Sequence, residues 1–259
     1  MPRRIIISLV VFALGALAQN SLLRASPPGA SGQAKPNHKI KPSKYSAELP
    51  QGEFQSNQIE LAPDAERRQL RESRYKGPYA EVRDPAETDP TGPTEDSVYV
   101  ISDYAGKIDP LPAYRSATVV IGTVLSGKAF VSKDHTYVYS DFEVHIDEIL
   151  KQDPSANLSV GGQLIASRGG GTIRFPSSRV RNYVHHGEGM PAVGSQYLFF
   201  LVKPNIPEPE YEIIIGAAYE IRNGKVHPLD DLSVEFDNMP EQEFLAKVQT
   251  AIKQNGGRS

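Results

Sequence analysis

The sequence predicts a mainly β protein: a small closed barrel with one C-terminal α-helix, behind a signal peptide and a disordered leader. Three observations predict it. Between Tyr137 and Glu148, Val138, Phe142, Val144 and Ile146 fall on one side, while Tyr139, Asp141, Glu143, His145 and Asp147 fall on the other. A period of two marks a strand with one buried face. Gln196 to Val202 is apolar on both faces, as expected of the most buried strand. Asn223-Gly224, between Ile221-Arg222 and Lys225-Val226, is a two-residue hairpin turn, because both central positions need positive φ.

The chain opens with Arg3 and Arg4, an apolar run from Ile5 to Ala16, and Ala16-Leu17-Ala18 as an A-x-A cleavage site. Residues 1–18 therefore read as a signal peptide. The apolar run is shorter than the roughly 20 residues that span a bilayer, so cleavage before Gln19 is expected rather than anchoring. The mature protein is expected in the periplasm, at the cell surface or in the medium. Residues 19–96 form a mostly disordered or weakly ordered leader, because stretches such as Ser26-Pro27-Pro28-Gly29 lack the apolar surface that offsets the entropy of ordering. Within it, Pro63 to Arg74 reads as a short charged helix of marginal order. The absence of cysteine removes disulfides, thiolate metal sites and cysteine nucleophiles. A formal charge of -3 gives no global basic excess and argues against nucleic acid as partner.

Residues 97–259 form the barrel domain. Ser97 to Ile101 is the first segment that can join a sheet, followed by Val119 to Leu125, a polar turn, and Tyr137 to Leu150. Gln163 to Ser167 is the next strand and Gly169-Gly170-Gly171 ends it. Thr172 to Phe175 and Arg179 to Val184 read as two edge segments separated by Pro176, which has no N–H for a central ladder. Gln196 to Val202, Tyr211 to Ile215 and Ala218 to Ile221 follow. Asn238 then caps a helix over residues 239–254, with Pro240 in its first turn and Phe244, Leu245, Val248 and Ile252 in one apolar stripe.

Such a series of short strands, with Gly122 placed to bend the first, fits a small closed barrel of the OB type. Val120-Ile121-Gly122-Thr123-Val124, Glu148-Ile149-Leu150-Lys151, Gly187-Glu188-Gly189 with Gly194, and Tyr197-Leu198-Phe199-Phe200-Leu201 carry a further likeness. In these motifs the stretch from Leu111 to Leu229 resembles exported bacterial proteins of largely unknown function. Their barrel is similar to the OB fold of tissue inhibitors of metalloproteases and netrin-like modules. The resemblance implies the fold alone. Inhibitors of that type place an N-terminal cysteine on the catalytic zinc, and this chain has no cysteine.

Between Asp153 and Glu188 there is no acidic residue, while Arg168, Arg174, Arg179 and Arg181 fall there with Phe175 and Tyr183 interleaved. OB barrels use strand faces and neighbouring loops to bind. The arginines with Tyr183 are therefore the expected ligand-binding residues, for an anionic protein or an envelope glycan. The competing account is charge that protects an edge hairpin from pairing with other chains. His185, His186 and Glu188 form the alternative site, a metal-dependent hydrolase loop. A structural envelope protein is a third class. Asp230, Asp231, Glu235 and Asp237 read as a solvated acidic connection. The Gly169-Gly170-Gly171 run leads into a strand with no Gly-Lys-Ser/Thr after it, and G-x-S-x-G is absent. The sequence assigns no catalytic residue and no cofactor.

Overall fold

The computed structural model of the protein describes residues 49–53, 81–101, 108–132, 134–203 and 210–255. The expected signal peptide (1–18) and the expected charged helix (63–74) lie outside the described residues. What is described is mainly β, with a C-terminal helix.

In chain order the elements are β1 (Gln51–Glu53), α1 (Pro85–Thr88), β2 (Glu95–Val100), β3 (Thr118–Val131) and β4 (Val138–Lys151). Then come β5 (Gln163–Gly169), β6 (Gly171–Arg174), β7 (Val180–His185), β8 (Gln196–Val202), β9 (Glu210–Arg222), β10 (Lys225–Pro228), β11 (Met239–Pro240) and α2 (Glu241–Asn255). They form two sheets. One has four strands in the order β1-β6-β7-β2, and the other seven in the order β11-β10-β9-β5-β4-β3-β8, with a further pairing of β9 to β8. The β9 strand thus pairs with β5 in parallel at Glu210–Glu212 and with β8 antiparallel up to Ile221.

The larger sheet is apolar on both faces where it matters. Val120, Val124, Phe142, Val144, Ile146, Tyr197, Phe199 and Leu201 share one core cluster. The alternate residues Val119, Ile121, Leu198 and Phe200 join a second cluster that α2 covers with Phe244 and Val248. The expected stripe on the helix is therefore the packing face, and Tyr219 and Phe236 complete it as an aromatic group with Phe244. The hairpin turn stands as expected: Asn223 and Gly224 have φ of 55° and 69°, and Arg222 pairs with Lys225.

Several expectations need correction. The β6 and β7 strands are inner strands of the smaller sheet, because β1 and β2 flank them in parallel. The polar run after Leu125 is not a turn, since β3 continues to Val131. Tyr139 is fully buried rather than on a polar face, because β4 begins beneath the smaller sheet and is buried on both faces there; strict alternation starts only at Asp141. Tyr211–Ile215 and Ala218–Ile221 are one strand, interrupted only at Gly216, whose φ is +76°. The helix begins at Glu241, after Met239 and Pro240 have paired with β10; Asn238 has φ of 64° and donates its N–H to Val226 O. Parts of the expected leader belong to the fold: Val82 is buried and its N–H donates to His135 O.

The glycine run is where the chain changes sheets. Gly169 ends β5, Gly170 has φ of +97°, and Gly171 starts β6. A Cβ on Gly170 would lie 2.7 Å from Met190 Cε and 2.8 Å from Tyr183 O, so no other residue fits without displacement.

Candidate functional site

Arg168, the residue before this crossing, is turned into the protein, with its side chain 1 % exposed. Its Nη2 donates to both carboxylate oxygens of Asp230 at 2.7 Å. Asp230 also accepts from the Gly189 N–H at 2.8 Å and the Gly216 N–H at 2.6 Å. The positive φ at Gly216 marks a break in β9 at the point where its amide meets this carboxylate. Glu188 Oε2 stands 3.7 Å from Arg168 Nε, and Glu188 Oε1 stands 3.6 Å from His185 Nδ1. The Tyr137 and His185 rings meet in a T-shaped arrangement, 5.6 Å between centroids. Burial pushes the Tyr137 phenol up, and Glu188 and Glu212 push the same way against Arg168.

This cluster is a buried knot built on the Arg168–Asp230 ion pair, with Glu188 beside it. It ties together β5, the loop after β7, the middle of β9 and the chain after β10, and a buried charge persists only with such partners. The expected solvated acidic run is therefore anchored at Asp230, which is 1 % exposed, although Asp231 beside it is exposed. His185 points inward while His186 is exposed, and no three His, Cys, Asp or Glu side chains among the described residues are grouped to hold a metal ion. The alternative set His185, His186 and Glu188 is thus not assembled as ligands.

The remaining expected binding residues separate in the same way. Arg179, 9 % exposed, donates from Nη1 to Asp89 O at 2.6 Å and from Nη2 to Pro90 O at 2.7 Å. Arg181 faces Asp96 across the β2–β7 register and binds its carboxylate through Nε at 2.8 Å and Nη2 at 2.6 Å. That hydrogen bond holds the guanidinium above its ordinary value. Tyr183 is buried and its phenol is pushed up to about 12 by desolvation. Arg168 and Arg179 are therefore buried staples, and Arg181 is a half-buried one. Arg168 lies on β5, Arg179 in the turn before β7 and Arg181 on β7, and each is matched to a carboxylate or carbonyl of a segment distant in sequence.

Arg174 differs: it is exposed at the end of β6. It lines a groove with a cavity of about 570 Å³, together with Gln51–Glu53 of β1, Ser126–Lys128 of β3, Thr172 and Val180. Lys128 is exposed, and its ammonium sits 5.3 Å from the centre of the Phe130 ring, within cation–π range. Glu53 supplies one negative charge to the same groove. Sequence reasoning missed Lys128 because it took the second half of β3 for a turn. The available signal was the alternation of Lys128 and Phe130 with the buried Ala129.

In comparisons with known proteins the chain matches no family profile and no curated relative. Among the described residues no helix is long and apolar enough to cross a membrane.

Proposed function

We propose that the protein is an exported, non-enzymatic binding module. In this reading an OB-like barrel holds an anionic partner, an acidic protein segment or an envelope glycan, in the groove beside Lys128 and Arg174. The observation that carries it is the groove itself: two exposed cations, one carboxylate and otherwise neutral groups line a cavity large enough for a ligand, within the 300–1,000 Å³ range typical of small-molecule sites. With Glu53 opposite, the groove keeps a local positive balance on a chain of net charge -3.

Support for the barrel comes from the pairings. They run from β3 to β4, β5, β9 and β8 and return to β3, with a parallel step at β5–β9. The register of β3 against β4 shifts at Gly122, where a bend helps a small sheet curl. The likeness to the barrel of metalloprotease inhibitors and netrin-like modules rests on motifs in β3, β4 and β8 and on Gly187-Glu188-Gly189 with Gly194. Export rests on Arg3, Arg4, the apolar run and Ala16-Leu17-Ala18.

The test is binding of the mature protein to polyglutamate and to a sulfated glycan across a salt series. Exposed charge contacts weaken as screening grows, so affinity should fall with salt. Lys128→Gln with Arg174→Gln should reduce binding at least tenfold and leave the melting temperature nearly unchanged, because both side chains are exposed. If the double variant binds both polyanions like the parent, the groove is not the binding site.

A further inference from the structure

The β1 strand is three residues long, yet it sits in a closely shaped slot. It pairs in parallel with β6, Gln51 opposite Thr172 and Glu53 opposite Arg174, and Thr172 N–H donates to Pro50 O at 2.8 Å. Gly52 is buried, and a Cβ there would overlap the carbonyl of Ala129 on β3. Pro50 is buried against the backbone at Gly127 and Gly171: a Cβ on Gly127 would lie 3.4 Å from Pro50 Cγ, and one on Gly171 3.4 Å from Pro50 O. Leu49 packs on the main core cluster. The slot thus reads three features of its occupant: an apolar anchor, a proline next to it, and a glycine two places further on.

None of these features depends on how the occupant is connected to the rest of the chain. The β1 strand has no hairpin to its partner; it is separated from the described segment at Glu81 by 27 residues. At about 3.3–3.6 Å per residue, such a connection can span up to about 90 Å. Strand addition to a sheet edge is a general mode of recognition, and exchange of an identical element is a low-cost route to dimers.

We infer that the slot between β3 and β6 is a strand-recognition site for Leu-Pro-x-Gly, and that residues 49–53 of a second copy of this chain can fill it. The groove at Lys128 and Arg174 is not needed for this. The cis strand has the advantage of high effective concentration, so exchange belongs to concentrated protein. It would give a dimer in which each copy lends its strand.

The test uses the full mature chain and a synthetic peptide covering residues 47–55. Gly52→Val cannot seat its own strand, so this variant should bind the peptide saturably, at least tenfold more tightly than the parent, whose slot is occupied. The same peptide with valine for glycine should bind neither. At high concentration the parent should show a species of twice the mass that excess peptide dissolves and that Gly52→Val does not form. If Gly52→Val does not fold, the Leu49→Ser, Pro50→Ser variant weakens the strand without adding an atom to the slot and must give the same peptide binding. The site is overturned if a folded variant binds no peptide, or if both variants unfold, which would make β1 an obligatory part of the core. Peptide binding without a peptide-sensitive dimer overturns the exchange.

Discussion

Asp230 accepts four hydrogen bonds in the buried knot: two from Arg168 and one each from the amides of Gly189 and Gly216. A buried ion pair by itself is weak evidence for stability, since apolar replacements of both partners are often neutral. Here the balance differs. Two backbone N–H groups rely on the same carboxylate, and a buried donor left without an acceptor costs about 1–3 kcal/mol. Glu188, 3.7 Å from Arg168 Nε, offers that cation a second carboxylate, so the loss of Asp230 is expected to fall mainly on these amides. Asp230→Ala is expected to lower the unfolding free energy by about 3–5 kcal/mol, and Arg168→Met with Asp230→Leu should remain about 2 kcal/mol or more below the parent. Urea titrations of the three proteins check this. A double variant as stable as the parent would mean that the amides find other acceptors.

At the scale of elements, the segment around α1 is held to the β6–β7 hairpin by the polar contacts of Asp84 as well as by the buried Val82. Asp84 caps α1 by accepting from the Ala86 N–H at 3.0 Å, and it accepts from Ser177 N–H at 3.0 Å and Ser177 Oγ at 2.6 Å. Burial opposes its ionisation, but the hydrogen bonds from Ser177 and Ala86 outweigh that and hold its carboxyl below the usual value. A folded-state pKa below the unfolded one adds stability that is fully present above the unfolded value, near 4, and is lost as pH falls through the folded value. Asp84→Asn should therefore melt lower than the parent at neutral pH, and the gap should close in acid below pH 4. Melting curves from neutral to acid pH decide it; a gap that stays constant would assign the effect to packing. The same kind of cover explains Tyr139: β4 alternates where one face meets solvent and is buried on both faces where the smaller sheet lies over it.

Across the whole molecule, the smaller sheet is completed by segments that precede the main run of strands. With β1 and β2 in place, β6 and β7 are inner strands; without them, unpaired edges face solvent and invite association. Limited proteolysis should leave a fragment whose N-terminus lies at or before Glu81 and in which Tyr197 to Val202 stays uncut, since that strand pairs on both sides and its centre is fully buried. A chain begun at residue 102 should melt lower and aggregate, because it strips the Asp96 partner from Arg181 and the carbonyls of Asp89 and Pro90 from Arg179. Equal melting temperatures for the two chains would show that these segments are accessory.

What could be read from the sequence was whatever one segment decides for itself. The alternation of Phe142, Val144 and Ile146, the two apolar faces of Tyr197 to Leu201, the Asn223-Gly224 turn and the stripe of Phe244 and Val248 are local consequences of period and turn chemistry, and the fold uses them as written. The partners of the arginines could not be read in this way. Arg168 meets Asp230 across 62 positions, Arg181 meets Asp96 across 85, and Arg179 meets Asp89 across 90, so a run free of acidic residues looked like an open cationic face. Charge pairing acts through space at contact distance and leaves no periodic trace along the chain. Only the tertiary arrangement decided which cations meet a carboxylate or carbonyl partner from a distant segment and left Arg174, with Lys128 from a strand taken for a turn, on the groove.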